Sequence, residues 1–174
     1  MGQMLEGKSI IVTGAGRGIG RAIAIMLAES GANVLVNDLG ASAQGEGSDS
    51  SPAADVVTEI TSSGGAAVAN YNSVSESGNA EAIVQSCIDT FGGVDGLVNN
   101  AGILRDAIFH KMSEEQFDLV IDVHLKGSFN MSRACAPYFR AQQGGCFVHM
   151  TSTSALIGNL AQANYMAAKL GVVG

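Results

Sequence analysis

Three polar residues in the last quarter of the chain have the types and the spacing of a proton-transfer site. Tyr165 and Lys169 are four residues apart, so they share one face of a helix, and Ser152 precedes the tyrosine by thirteen residues. A phenol with an ordinary pKa of about 10 is a poor base at neutral pH unless a fixed cation stabilises the phenolate. Lys169 supplies that cation one helical turn away. The set predicts proton transfer at a carbonyl or an alcohol, with Ser152 hydrogen-bonded to the substrate oxygen.

A glycine-rich segment near the start has the composition of a dinucleotide-binding turn. It follows the apolar run 10–12, and its candidate cofactor-binding residues are Gly14, Arg17, Gly18, Ile19 and Gly20. A strict G-x-G-x-x-G motif is not met, because Ile19 stands at its last position. Glycines let the backbone approach a pyrophosphate, and the following helix offers free N–H groups and its positive dipole end. A tight strand–helix turn without a ligand has the same composition, so this segment alone leaves both interpretations open.

Two charged residues bear on which dinucleotide would bind. Asp38 stands after the second predicted strand, eighteen residues beyond Gly20, where a carboxylate can bind both hydroxyls of an adenosine ribose. The same carboxylate repels a 2′-phosphate, which favours NAD over NADP. Arg17 argues the other way, because a guanidinium beside this pocket could hold that phosphate. We weight Asp38 more heavily, since placing two anions together is costly.

The elements that must position these residues alternate along the chain. Strands are predicted at 9–12, 34–36, 66–69, 97–98 and 146–150, with helices between them. A capping box at 113–116 opens a long helix that continues through residue 125, and the last helix carries Tyr165 and Lys169. Continuously apolar strands that alternate with helices predict an α/β fold with a doubly wound, Rossmann-like parallel sheet in one domain, residues 1–174. Residues 40–51 are predicted to form a mobile surface loop.

Composition excludes several other classes of protein. The 174 residues carry a formal charge of −7 with scattered basic residues, so nucleic acid is not expected as a partner. Three cysteines at unrelated spacings fit neither a disulfide framework nor a zinc site, and no metal is expected. No apolar run approaches the ~18 residues of a membrane span. We therefore expect a cytoplasmic protein that does not bind membranes.

These motifs together resemble the short-chain dehydrogenase/reductase family. The resemblance is carried, in order, by the segment 13–20, the run 99–102, Ser152, Tyr165 and Lys169, and it extends from about residue 7 to the end. It implies a nicotinamide cofactor and hydride transfer to or from a small molecule. It also implies that Tyr165 is the general acid/base, that Ser152 polarises the carbonyl, and that Lys169 holds the nicotinamide ribose and lowers the pKa of Tyr165.

The resemblance also implies where the rest of the cofactor would lie. Asn100, Ala101 and Gly102 would line the adenosine side, and Ser73 and Val74, after the third strand, would lie against the adenine. The asparagines of the run 99–102 could instead serve only as strand-end hydrogen-bonding groups. One residue departs from many members of the family: His124 stands where they have asparagine, and either a role in a proton relay or simple packing fits it.

A finer resemblance concerns the substrate. The segments 36–40, 100–106 and 123–129 resemble the (3R)-hydroxyacyl-CoA dehydrogenase unit of peroxisomal multifunctional enzyme type 2 and its bacterial relatives. This implies an NAD-dependent enzyme that acts on a 3-hydroxyacyl thioester. Two alternatives stay open: an NADPH-dependent 3-oxoacyl-carrier-protein reductase, and a non-catalytic dinucleotide-binding module.

Two further expectations concern the end of the chain and its assembly. Family members continue through two more strands and a substrate loop, so we expect the sequence to be C-terminally incomplete. Family members also pair the helix from residue 113 and the Tyr165 helix with copies in other subunits. Small or apolar residues suited to such contact predict a homodimer or homotetramer: Phe117, Val120, Met131, Ala163 and Ala167.

Overall fold

The computed structural model describes residues 4–174 and shows strands alternating with helices. The strands are β1 (Ser9–Thr13), β2 (Asn33–Asn37), β3 (Ala66–Asn70), β4 (Gly96–Asn99) and β5 (Cys146–His149). The helices are α1 (Gly18–Glu29), α2 (Ser51–Ser62), α3 (Ser77–Phe91), α4 (Glu114–Ile121), α5 (Gly127–Ala141), α6 (Ser154–Ile157) and α7 (Ala163–Val173). A 3-10 turn at Phe109–Lys111 precedes α4, and a π-helical turn at Asp122–Lys126 joins α4 to α5.

The five strands form one parallel sheet in the order β3-β2-β1-β4-β5. The chain first builds outward from β1 to β3 and then returns to add β4 and β5 on the other side. In the centre of the sheet, Ile11 of β1 pairs with Leu35 of β2 and with Leu97 of β4. The doubly wound parallel sheet is confirmed. Its strand order reverses between β1 and β4, the place where open α/β sheets bind ligands at the carboxyl ends of their strands.

Helices cover both faces of the sheet because alternate residues of the inner strands point to opposite sides. Ile11, Leu35 and Leu97 belong to a buried cluster with side chains of α3 and α5. Val12 and Val36 belong to a second buried cluster with side chains of α1 and α2. Each cluster rests on one face, so the sheet is fixed from both sides and the carboxyl ends of its strands are held at defined positions.

The long helix expected from residue 113 is interrupted. Ser113 and Gln116 form the predicted capping box at the start of α4. The α-helical pattern then gives way to the π-helical turn 122–126, which contains His124, before α5 begins. A π-helical turn adds a residue to one helical turn and is frequent at functional sites. Hydrophobic spacing did not reveal it.

Two of the residues expected at a subunit contact are unsuited to that role. Val120 and Met131 are fully buried in the cores of this chain, so the prediction that they contact a second subunit is wrong. Phe117 is partly exposed, and the apolar surface on α5 and α7 comes instead from Phe129, Leu170 and Val173.

The loop that follows β2 is held by specific contacts, which its glycine- and serine-rich composition did not indicate. The N–H of Leu104 donates to the carbonyl of Ala43 at 2.9 Å. Arg105 donates through Nε to the carbonyl of Gln44 and forms an ion pair with Glu46 at 3.2 Å. We call residues 41–46 the cleft strap, because they run from the end of β2 to the segment that follows β4.

Neither a metal-binding cluster nor a membrane-spanning helix occurs in residues 4–174. No group of three or more His, Cys, Asp or Glu residues in this range could hold a metal ion. None of the helices described is both long enough and apolar enough to cross a membrane.

Candidate active site

The turn after β1 leaves no space for side chains at two of its glycines. Gly14 has a positive φ of 63°, and a Cβ there would lie 2.7 Å from Cα of Ala101. A Cβ on Gly20 would lie 2.2 Å from the carbonyl oxygen of Gly14. The N-terminus of α1 has no side-chain cap and no acidic residue in its first turn. Its N–H groups and dipole therefore remain available to an anion, which fits the pyrophosphate of a dinucleotide.

A pair of polar residues joins the ends of β1 and β4. Oγ1 of Thr13 accepts from the N–H groups of Asn100 and Ala101, both at 3.1 Å. The Nδ2 group of Asn100 donates to the carbonyls of Thr13 and Gly14, both at 3.0 Å. The strand-end hydrogen bonding proposed for the asparagine run is therefore present. It fixes the glycine-rich turn against the segment that begins at Asn100.

Asp38 closes the other side of this turn. Its Oδ2 accepts from the N–H of Gly16 and its Oδ1 from the N–H of Gly40, each at 2.7 Å. Hydrogen bonds to an ionised carboxylate are the stronger kind, so Asp38 holds the turn and the start of the next loop together. Arg17 is not bonded to Asp38: its guanidinium donates to the carbonyl of Ala41 at 3.1 Å, at the exposed side of the same cavity.

These segments surround a cavity of about 440 Å³ at the carboxyl ends of β1, β2, β3 and β4. Ligand pockets in proteins fall in this range of size. The lining contains every residue predicted for the adenosine and pyrophosphate: Gly14, Arg17, Gly18, Ile19, Gly20, Asp38, Ser73, Val74, Asn100, Ala101 and Gly102. It also contains residues that the sequence did not suggest, among them Asn37, Ser42, Ala43, Ile103 and Leu119. The cleft strap supplies Ser42 and Ala43, and so forms part of the wall.

Tyr165 and Lys169 lie beside this cavity rather than in its lining. Nζ of Lys169 is 5.7 Å from the centre of the Tyr165 ring, so the predicted pair is brought together on α7. The lysine is buried and donates to the carbonyl of Met150. Burial lowers the pKa of Lys169 to about 8. At neutral pH its ammonium group is still mostly protonated and can stabilise a phenolate.

Ser152 reaches the same end of the sheet from β5. Its Oγ accepts from the N–H of Ser154 at 3.2 Å, in the turn that starts α6. The neighbouring Thr151 donates through Oγ1 to the carbonyl of Lys169 at 3.0 Å. This bond ties the serine segment to the helix that bears Tyr165. Among residues 4–174, no direct hydrogen bond joins Ser152 to Tyr165, and its role toward substrate stays a prediction.

Asn164 is a positioning residue that sequence reasoning missed. It is fully buried, and its Nδ2 donates to the carbonyls of Arg105 and Gln116, both at 2.9 Å. These bonds fix the first turn of α7 to the segment after β4 and to α4. An asparagine at the start of a helix was the available signal, because such residues favour hydrogen bonds to nearby backbone.

His124 lies between the cavity and Tyr165. Its ring packs edge-on to the ring of Tyr165, with the ring centres 5.1 Å apart and the planes at 90°. Burial and the neighbouring charge of Lys169 lower the pKa of His124 to about 4. The imidazole is therefore neutral at physiological pH. The structure does not support a proton relay in which His124 titrates near neutrality.

Comparison with known proteins places these residues in a family. The family described as short chain dehydrogenase matches residues 8–174. The chain is 52% identical over 170 residues to a short-chain type dehydrogenase/reductase of Mycobacterium tuberculosis, covering 98% of this chain and 59% of the relative. It is 50% identical over 169 residues to mouse peroxisomal multifunctional enzyme type 2, covering 97% of this chain and 23% of the relative.

Two other comparisons add a reductase and a crystal structure. The 3-oxoacyl-[acyl-carrier-protein] reductase FabG of Staphylococcus aureus is 41% identical over 167 residues, with 96% of this chain and 65% of the relative covered. The crystal structure of a short chain dehydrogenase from Mycobacterium avium superimposes with a TM-score of 0.90 at 46% identity, covering 97% of this chain and 60% of that one. This chain thus spans about 60% of the length of its mycobacterial relatives.

Proposed function

Because this chain belongs to the short-chain dehydrogenase family, we propose that it transfers a hydride between NAD(H) and a secondary alcohol or ketone, with a 3-hydroxyacyl-CoA as the substrate. The observation that carries the proposal is the placement of two sites on one frame. A cleft suited to a dinucleotide adjoins the Tyr165–Lys169 pair. The segment that begins at Asn100 forms the cleft wall and then bonds to Asn164, next to Tyr165.

In the proposed oxidation, a residue of this chain transfers one proton, that of the alcohol hydroxyl. A bound nicotinamide dinucleotide supplies the acceptor for the hydride that leaves the alcohol carbon. Tyr165 takes the proton of the alcohol hydroxyl as the C–H bond breaks and the carbonyl forms, and it returns that proton when the reaction runs in reverse. Lys169 stabilises the phenolate form of Tyr165 by its charge. Ser152 donates a hydrogen bond to the substrate oxygen, on which negative charge develops.

The choice of NAD rests on Asp38 and Arg17. Both carboxylate oxygens of Asp38 are held by backbone N–H groups in the wall of the cavity, so this wall carries a fixed negative charge. Arg17 is bonded to Ala41 and is not paired with that carboxylate. A phosphate beside a fixed carboxylate is repelled, and this favours the cofactor that lacks it.

The choice of an acyl thioester rests on the resemblance of the segments 36–40, 100–106 and 123–129 to a (3R)-hydroxyacyl-CoA dehydrogenase unit, together with likeness to named relatives. Multifunctional enzymes from mouse and Dictyostelium discoideum are 50% identical to this chain over nearly its whole length, compared with 41% for the carrier-protein reductase. That reductase activity is the second candidate. A module that only binds a dinucleotide would not need Ser152, Tyr165 and Lys169 together. Several relatives are named as peroxisomal, so the cytoplasmic location stays a prediction.

Steady-state rates on the full-length protein test the proposal. NAD and NADP would each be assayed with 3-hydroxyacyl-CoA esters and with simple secondary alcohols, and NADH and NADPH with a 3-oxoacyl carrier protein. We expect kcat/KM for NAD to exceed that for NADP by about tenfold or more, since repulsion worth about 1.4 kcal/mol gives a factor of ten. Asp38→Ala should narrow this gap mainly through the KM for NADP. Equal values in the unmodified protein would contradict the choice of NAD.

A further inference from the structure

We propose that His124 is a positioning residue that ties the wall of the cofactor cleft to the ring of Tyr165. The inference rests on the proposed function, in which Tyr165 transfers the proton. It assigns His124 no proton to carry. Its role is to couple the position of the Tyr165 phenol to the wall that a dinucleotide would contact.

On the cleft side, the imidazole contacts Gly102 and Ile103, two consecutive residues of the cavity wall. Nε2 of His124 lies 2.8 Å from the carbonyl oxygen of Ile103 and 3.0 Å from its backbone nitrogen. The tautomer of the ring decides which of these contacts is the hydrogen bond. The ring also fills the space beside Gly102, where a Cβ would lie 2.3 Å from Cε1 of His124. Gly102 and Ile103 both line the cavity, so the ring supports the wall from behind.

On the other side, the same ring meets Tyr165 edge-to-face. This arrangement is a favoured geometry for aromatic pairs and limits how far either ring can turn. The π-helical turn gives His124 its place, because the added residue changes the direction of the side chains that follow α4. The carbonyl of His124 accepts from Oγ of Ser128 at 2.6 Å, which satisfies an acceptor within this irregular turn.

Packing alone does not explain a histidine here. His124 is only 4% exposed, and its Nδ1 has no hydrogen-bond partner within residues 4–174. A buried polar atom without a partner costs stability that an apolar side chain would not. A polar ring at this position is therefore explained by the contact of its Nε2 atom with the backbone of Ile103. The charged group that faces the ring from α7 is Lys169, and with burial it keeps the imidazole neutral.

Two substitutions separate the two contacts. His124→Phe keeps an aromatic ring between Gly102 and Tyr165 but loses Nε2. His124→Asn keeps a polar group but loses the ring. Losing the hydrogen bond to Ile103 should raise the Kd for NADH by about fivefold in the Phe variant. Losing the aromatic contact should lower kcat by about three- to tenfold in the Asn variant.

The readouts are NADH binding by fluorescence, kcat and KM by steady-state assay, and the melting temperature. The inference is supported if the Phe variant changes mainly the Kd for NADH and the Asn variant changes mainly kcat. If His124 were purely structural, both substitutions would lower the melting temperature, but Kd and kcat measured well below that temperature would be unchanged. That outcome would overturn the inference. Equal losses of kcat in the two variants would also overturn the inference.

Nitrogen NMR of the labelled imidazole gives a second readout. We expect the His124 ring to remain neutral from pH 5 to 8, consistent with its lowered pKa, and its resonances to shift when NADH is added, in the unmodified protein and in Tyr165→Phe. Unshifted resonances in a protein that binds NADH would refute the coupling while leaving the proposed function intact. A protein that does not bind NADH at all would instead contradict the proposed function.

Discussion

At the scale of single residues, the polar side chains around the cleft bond mainly to backbone groups far away in the sequence. Thr13 and Asn100 bridge β1 and β4, Asn37 donates to the carbonyl of Asn72 at 2.9 Å, and Asn164 holds Arg105. Each of these bonds fixes a segment of main chain that borders the site. Groups fixed before ligand arrives do not have to be ordered when it binds, and this lowers the cost of binding.

The buried histidine makes a pH dependence that can be measured without substrate. The pKa of His124 in the folded protein is about 4, below the ordinary value of 6.5. As the pH falls below 6.5, the unfolded chain takes up the proton first, so stability present above that pH is lost as the pH falls through 4. Between pH 7 and pH 4 we expect the unmodified protein to lose up to about 3 kcal/mol more than His124→Asn.

Urea unfolding at several pH values measures this difference. His110→Asn, at an exposed histidine, is the matched control for the same chemical change. Parallel stability curves for the unmodified protein and His124→Asn would contradict the assignment of a buried neutral imidazole.

Sequence could identify some of these residues and not others. The helical period places Tyr165 and Lys169 on one face, and the turn requires glycine at positions 14 and 20 for steric reasons, so local spacing was sufficient. The edge contact of His124 with Tyr165 and the bond from Asn164 to Arg105 join residues 41 and 59 positions apart. Local patterns carry no information about such pairings, which depend on how the elements pack.

At the scale of elements, the cleft strap joins two loops that composition alone would leave independent. Arg105 holds residues 44 and 46 of the strap, while Gly45 packs against Ile103. Arg105→Ala should loosen this wall of the cavity and increase the rate at which NADH dissociates by about two- to fivefold, as expected for a partly exposed ion pair and one hydrogen bond.

Rapid-mixing measurement of NADH dissociation checks the effect of Arg105→Ala. Arg21→Ala is the control, since Arg21 forms an ion pair with Glu59 between α1 and α2. Equal dissociation rates in the unmodified protein and in Arg105→Ala would show that the strap does not retain the cofactor.

The elements that sequence predicted well are those with strong hydrophobic periodicity. All five strands and the capping box at Ser113 were found close to their observed positions. The π-helical turn was missed because the apolar residues through 125 are too few to reveal the change of direction that one added residue makes. Composition predicts a mobile strap because the anchors of the strap, Leu104 and Arg105, lie outside the segment itself.

At the scale of the whole molecule, the exposed apolar side chains on α5 and α7 favour self-association. Phe129 is 61% exposed and Leu170 is 50% exposed. We predict a homodimer or homotetramer, and Phe129→Glu should shift the full-length protein toward smaller species, because a charge placed in an apolar contact loses its hydration.

Analytical ultracentrifugation of the full-length protein measures the assembly. Met26→Glu is the matched control, at a residue on α1 that is 54% exposed. A monomer in the unmodified protein, or identical sedimentation of the unmodified protein and Phe129→Glu, would rule out the proposed surface.

The central claim is that Tyr165 moves the proton while the cleft holds the dinucleotide. Its most direct test is a rapid-mixing measurement of hydride transfer in Tyr165→Phe, with NADH binding measured on the same sample and Tyr138→Phe as the control on α5. The account predicts that the rate falls by about a hundredfold or more, the usual contribution of general acid–base catalysis, while the Kd for NADH stays within about threefold. More than about a tenth of the original rate in Tyr165→Phe would show that another group transfers the proton.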